Sequence, residues 1–204
     1  GDRVGIWSPN NIEWCLTQFA TAKIGAIMVC INPAYRPSEL KYALNSVECS
    51  TLITASEFKA SNYINMLNEL APELADSQAG KLNLNALPHL KNIIRIGDEP
   101  AAGMFSFSDI MQRATDAHKL ELDAIAATLH CDQDINIQFT SGTTGNPKGA
   151  TLSHKNILNN GFLMAQAMKL THEDKLCIPV PLYHCFGMVL GNLVCISKGA
   201  TAVF

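Results

Sequence analysis

Several protein classes can be set aside from what this chain lacks. Only 16% of its 204 residues are charged and 7% are aromatic; Lys and Arg number 15 against 18 Asp and Glu, a net charge of −3. No run of basic residues occurs, which argues against nucleic acid as the main partner. Long apolar runs are missing too. Stretches such as 26–31 are short and bounded by polar or turn residues, whereas a membrane helix needs roughly 18 apolar residues in succession. The seven cysteines are odd in number and never form a C-x-x-C pair. That pattern excludes a disulfide framework and predicts buried thiols in a reducing compartment. The six histidines lack zinc-ligand spacing, His130 and Cys131 being merely adjacent. Signal segments, internal repeats and low-complexity tracts are also missing. The chain has no initiator Met and stops inside the apolar run "ATAVF", so we expect a piece of a longer protein.

What is present is a hydrophobic fraction of 48%, enough core for one domain or two closely packed subdomains. "RVGIW" reads as a strand. Asn10 is expected to cap the next helix, with Glu13 completing a capping box and Ile12, Cys15, Leu16 and Phe19 forming its apolar stripe. Gly25 stands where a left-handed terminator belongs. "AIMVCI" is apolar throughout, as in a strand covered on both faces. Pro37 opens a helix with Leu40, Ala43, Leu44 and Val47 on one side, and "TLIT" follows as a strand. Alternation of strand and helix predicts a doubly wound parallel sheet. Further on, 56–71 reads as helix, 76–88 as a polar surface connection, "NIIRI" as a strand and 119–129 as helix. Trp7 and Trp14 are expected in the core, and Asn32–Arg36 as a structural turn. The expected division is 1–133 and 134–204, with its seam near "CDQD".

The densest chemistry lies in "IQFTSGTTGNPKGATLSHKNI", 137–157. Ile135, Ile137 and Phe139 alternate with Asn136, Gln138 and Thr140, the signature of a half-buried strand. Four hydroxyls (Thr140, Ser141, Thr143, Thr144), three glycines (Gly142, Gly145, Gly149) and Lys148 follow. Hydroxyl donors, inward-turning backbone amides and one cation suit a polyphosphate. The Walker A pattern does not fit, because Lys148 is preceded by Pro147 and followed by Gly149. Moreover, Ala150–Leu152 reads as a second strand, antiparallel to the first, where a Walker A loop would open a helix. Ser153 is expected to cap a helix reaching about Met168, with His154 in its first turn at the surface.

"TSGTTGNPKG" resembles the phosphate-loop signature of the acyl-adenylate-forming superfamily (AMP-dependent synthetases and ligases). "PLYHCFG" at 181–187 resembles that superfamily's next core motif, and "NPAYRPSELKYALN" at 32–45 a segment of its fatty-acyl members. "INIQFTSGTTG" and "GATLSH" look especially close to medium-chain acyl-CoA synthetases. The resemblance covers essentially the whole chain. It implies an α/β fold of doubly wound, mainly parallel sheets with flanking helices, as an incomplete N-terminal domain. The implied reaction joins a fatty acid to coenzyme A through an acyl-adenylate, using ATP and Mg2+. By the same resemblance Thr140, Ser141, Gly142, Thr143, Thr144, Gly145 and Lys148 would hold the β- and γ-phosphates. His184 would sit beside the carboxylate and the α-phosphate as the catalytic-site residue, positioning rather than transferring protons. Tyr183, Met188 and Gly191 would line the acyl pocket, and no metal ligand is expected within the chain.

The superfamily's adenine and magnesium motif, ribose-binding aspartate, hinge and lid lysine are expected beyond Phe204. The isolated 204 residues are therefore expected to release no pyrophosphate. Cytoplasm is the default location, or the mitochondrion for a eukaryotic parent. Two rival readings stand beside this one: an adenylating enzyme for an aryl or amino acid, and a nonenzymatic nucleotide-binding or interaction module.

Overall fold

The computed structural model describes residues 1–140 and 145–204. Its centre is a seven-stranded, mainly parallel sheet: β1 (Arg3–Trp7), β2 (Ile27–Cys30), β3 (Thr51–Thr54), β6 (Asn92–Arg95), β7 (Phe105–Ser106), β8 (Asp134–Phe139) and β9 (Gly149–Ser153). Two short strands, β4 (Glu57–Phe58) and β5 (Ser61–Asn62), form a separate hairpin. The sheet order is β7-β6-β3-β1-β2-β8-β9. From β1 the chain winds outward to β2, crosses to β3 on the other side, continues to β6 and β7, and returns to place β8 beside β2. All pairings are parallel except β8 with β9. This is the doubly wound α/β architecture the sequence predicts.

The inner strands β1, β2 and β3 are largely apolar because both of their faces are covered. Adjacent residues alternate between two cores. Trp7, Val29 and Leu52 enter one core, with Leu40 and Leu44 of α2 (Pro37–Ser46) and Tyr63 and Leu67 of α3 (Tyr63–Leu70). Ile6, Met28 and Ile53 enter the other, with Trp14 of α1 (Ile12–Lys23) and Ile157 of α6 (His154–Ala167). Trp7 and Trp14 are fully buried, and Trp7 stacks on Tyr63 with ring centroids 3.7 Å apart. Gly25 closes α1 at φ +67°, where a Cβ would be strained.

Several local expectations need correction. Asn11, not Asn10, caps α1, accepting from the Trp14 N–H at 2.8 Å. Of the expected stripe, Ile12 and Leu16 face outward while Cys15 and Phe19 pack against the second core; Trp14, Thr17, Gln18 and Thr21 are the buried residues. The large indole fixes the helix rotation, while Thr17 and Thr21 satisfy their hydroxyls on the carbonyls of Glu13 and Thr17 one turn earlier. Within 56–71, the β4–β5 hairpin precedes α3, and Asn62 caps it through the Asn65 N–H. The 76–88 connection is not a polar surface strip, because Leu82, Leu84 and Leu87 are buried in the first core. Helix α5 (Asp116–Ala126) exists, but none of its residues is buried. Of the seven thiols, Cys131, Cys177 and Cys185 are exposed.

Helix α4 (Phe107–Gln112) follows β7. After α6 come β10 (Lys175–Cys177), the helical turn α7 (Cys185–Gly187), a π-helical turn Met188–Leu193, α8 (Val194–Lys198) and β11 (Thr201–Val203). Strands β10 and β11 pair in parallel as a small second sheet. No helix of the described residues is long and apolar enough to cross a membrane.

Candidate functional site

The site grows from the carboxyl ends of β2 and β8, the edge at which doubly wound sheets place ligands. Strands β8 and β9 form the expected antiparallel pair, with Ile137 opposite Thr151 and Phe139 opposite Gly149. Gly149 is needed here because a Cβ would lie 2.9 Å from the Ile137 side chain. The Thr140 N–H donates to the Lys148 carbonyl at 2.9 Å, closing the base of the loop. No helix begins at Lys148, as the Walker A alternative would require. Gly145 sits at φ +137°, open only to glycine without strain. Lys148 and Thr140 are exposed. Ser141, Gly142, Thr143 and Thr144 lie outside the described residues.

His184 approaches from the other side. It caps α7, its Nδ1 accepting the Phe186 N–H at 3.2 Å, with the Cys185 sulfur 3.8 Å away. A ring nitrogen that accepts a backbone N–H carries no proton, so this contact selects the tautomer with its hydrogen on Nε2, which has no hydrogen-bond partner among the described residues. The loop carrying His184 is tied to the sheet by Asn10. Its Nδ2 donates to the Val180 carbonyl at 2.9 Å and its Oδ1 accepts the Leu182 N–H at 2.8 Å. Read from sequence as a helix cap, Asn10 is instead a cross-chain clamp 170 residues removed from one partner; no local pattern signals such a contact. Asn10→Ala should strand both backbone groups and cost ~1–3 kcal/mol. Thermal unfolding of the variant measures this, and an unchanged melting temperature would mean water replaces the amide without loss.

Between these two structures lies a cleft of about 520 Å³. Thr140, Pro147, Tyr183 and His184 line it, as do Cys30 and Gln138, and Asn32 and Tyr35 of the turn read as structural, none of which the sequence reading gave a site role. The period-2 alternation of β8 was the available signal for Gln138, since it shares the face of Thr140. Burial pushes the Cys30 thiol up to about 12, so that wall is a neutral thiol. Burial, with the Glu39 carboxylate second, also raises the Tyr35 phenol, which stays protonated.

Met188 is fully buried, its sulfur 3.7 Å from Gln138 Nε2. Gly191 packs against Ile178, where a Cβ would come within 2.9 Å. A second groove of about 510 Å³ shares Cys185 with the cleft as a lining residue and is otherwise lined by Phe186, Val189, Leu190, Leu152, Ile157 and the two amides Asn156 and Asn160. At the opposite end of β8, His130, Cys131 and Asp132 bring ligand atoms within 4.8 Å of one another, all exposed, with the Lys155 ammonium 3.7 Å from Asp132.

The pattern of the family described as AMP-binding enzyme matches residues 1–204. The chain is 44% identical over 206 residues to the mitochondrial medium-chain acyl-CoA ligase ACSF2 of Danio rerio, covering 100% of this chain and 34% of that protein. Identity to the ACSF2 protein of Homo sapiens is 43% over 209 residues, with the same coverage. Among solved structures, the anthranilate CoA ligase AuaEII in complex with anthranoyl-AMP superposes with a TM-score of 0.78 at 26% identity, covering 100% of this chain and 35% of that one. The chain thus spans about a third of the length of the relatives it matches. With a matching pattern over its full length, it belongs to the AMP-binding enzyme family.

Proposed function

We propose that the parent protein is an ATP-dependent acyl-CoA synthetase acting on a fatty acid, with a medium-chain acid as the preferred class. A carboxylate oxygen attacks the α-phosphorus of ATP and pyrophosphate leaves. The coenzyme A thiol then attacks the acyl carbon and AMP departs. The carrying observation is that the phosphate-loop strand pair and His184 face one cleft at the carboxyl ends of parallel strands. Similarity to ACSF2 supports the choice of acid.

In this reading Thr140, Ser141, Gly142, Thr143, Thr144, Gly145 and Lys148 hold the β- and γ-phosphates, stabilising charge that builds on the leaving pyrophosphate. The Nε2–H of His184 donates to the carboxylate or an α-phosphate oxygen, fixing the in-line approach. No carboxylate lines the described cleft. A side chain that would hold Mg2+ is expected from the magnesium motif outside these residues, and the ion would supply charge neutralisation of the phosphate oxygens. Tyr183 forms a wall of the cleft; Met188 is buried behind Gln138 and Gly191 lets the helix settle on Ile178, neither of them lining the cleft itself. The acyl chain extends from the cleft along the second groove beyond Cys185. The division at 133/134 separates a scaffold portion from the loop-bearing portion, although β8 completes the same sheet as β2. A mitochondrial location follows the same similarity.

The test is pyrophosphate release by the complete parent protein across straight-chain, aryl and amino acids. Acid-dependent release peaking at medium chain length is expected. A peak with aryl or amino acids would move the enzyme to another branch of the family, and no release with any acid would overturn the reading.

A further inference from the structure

The geometry points to a zinc site at the amino end of β8, where His130, Cys131 and Asp132 supply one imidazole nitrogen, one thiolate sulfur and one carboxylate oxygen. The three ligand atoms lie within 4.8 Å of one another. Sequence spacing carries no sign of this, because the residues are consecutive, and neither a helix nor a strand turns three consecutive side chains to one side. A turn does so here. The Gln133 N–H donates to the His130 carbonyl at 3.0 Å, and Gln133 Oε1 accepts the His130 N–H at 2.9 Å. The first turn of α6 fixes the segment from behind. The Lys155 N–H donates to the Cys131 carbonyl at 2.9 Å, and the His154 N–H to the Gln133 carbonyl at 3.2 Å. These hydrogen bonds set the backbone before any ion arrives, so side-chain rotation alone completes the site.

A tetrahedral zinc ion holds nitrogen, oxygen and sulfur ligands roughly 3.3–3.8 Å apart, given its bond lengths of about 2.0–2.3 Å. His130 Nδ1 stands 3.6 Å from Asp132 Oδ2, inside that range. The cluster as a whole has to contract by about 1 Å at most. What engages these ligands without the ion is weak. His130 Nδ1 accepts the Asp132 N–H at 3.3 Å, and the Lys155 ammonium lies 3.7 Å from Asp132 Oδ1. All of these side chains are exposed, where ion pairs contribute little and water satisfies a released N–H. The donor set selects the ion: thiolate and imidazole favour zinc, whereas magnesium and calcium take oxygen ligands. As the zinc–sulfur bond forms, the Cys131 thiol gives its proton to solvent. Water fills the fourth position, as in other sites with three protein ligands. The phosphate loop stands at the other end of β8, so this ion takes no part in the adenylation reading and the proposal is independent of it.

Titration of the complete, metal-stripped parent protein tests this, first with Co2+ and then with Zn2+. ATP is left out, because it binds both ions itself. Co2+ should give a thiolate-to-cobalt charge-transfer band in the near ultraviolet, which Zn2+ abolishes and excess Mg2+ does not. Cys131→Ser should remove the band, while Cys177→Ser, at another exposed thiol, should leave it. His130→Ala and Asp132→Asn should each weaken Co2+ binding by at least about tenfold, the lower end of what losing even an outer partner costs. Because the three side chains are exposed, each variant should melt at the parental temperature, which thermal unfolding checks. A band that survives in Cys131→Ser, or a parent protein with no Cys131-dependent band, overturns the proposal. Unchanged affinity in both His130→Ala and Asp132→Asn overturns it as well.

Discussion

Replacing Gly187 with alanine should destabilise the chain by ~1–3 kcal/mol or more and lower its melting temperature by about 2–4 °C per kcal/mol. A Cβ at this position would lie 2.4 Å from the Pro181 carbonyl oxygen, 2.7 Å from its carbon and 2.9 Å from the Leu182 Cα. All three are backbone atoms, so no side-chain rotation can relieve the overlap. The whole Pro181–Gly187 loop must move, and it carries His184. Gly187 has ordinary helical geometry (φ −71°, ψ −48°); close approach, and not backbone conformation, demands glycine. A displacement of about 1 Å at a positioning residue can cost on the order of 10²-fold in rate. In the parent protein Gly187→Ala should therefore lose adenylation well beyond what its melting temperature explains. Differential scanning calorimetry with pyrophosphate-release kinetics separates the two effects. A variant with parental stability and rate would show that the loop can yield at no cost.

The second large effect is expected at Lys148. In the parent protein Lys148→Ala removes one charge-assisted contact to the phosphates, ~1.5–3 kcal/mol. This corresponds to a loss of about 10- to 150-fold in kcat/KM for adenylation. The position is held by its backbone, since the Lys148 carbonyl accepts the Thr140 N–H, while the side chain is exposed and free to reach a ligand. Truncation thus removes the charge without disturbing the strand pair, and the effect should appear in kinetics and not in thermal stability. Lys148→Arg should recover little, because a planar fork does not replace a compact ammonium in a close-packed loop. A kcat/KM for Lys148→Ala within twofold of the parent would make this lysine ordinary surface.

The sequence by itself determined the parallel sheet, the strand pair around the glycine-rich loop and the Ser153 cap of α6. Each of these is a local matter: apolar runs covered on both faces, a period of two from Ile135 to Phe139, and a hydroxyl that accepts the Asn156 N–H three residues on. The loop and histidine motifs were legible for the same reason, being contiguous. What the tertiary structure alone decided is everything that depends on partners distant in the chain. Helix α1 turned Ile12 and Leu16 of its apolar stripe outward, while Cys15 and Phe19 pack against the second core beside the fully buried Trp14. The leucines at 82, 84 and 87 went inward because α2 and α3 left space for them in a core that a polar-looking segment does not announce. Asn10 became a clamp on Val180 and Leu182, and Asn136 a link between Cys30 and Gln138, because buried amides take whichever donors and acceptors the fold brings near. Residue type limits what such a side chain can bond, but sequence spacing carries no record of which strand or loop will stand opposite it.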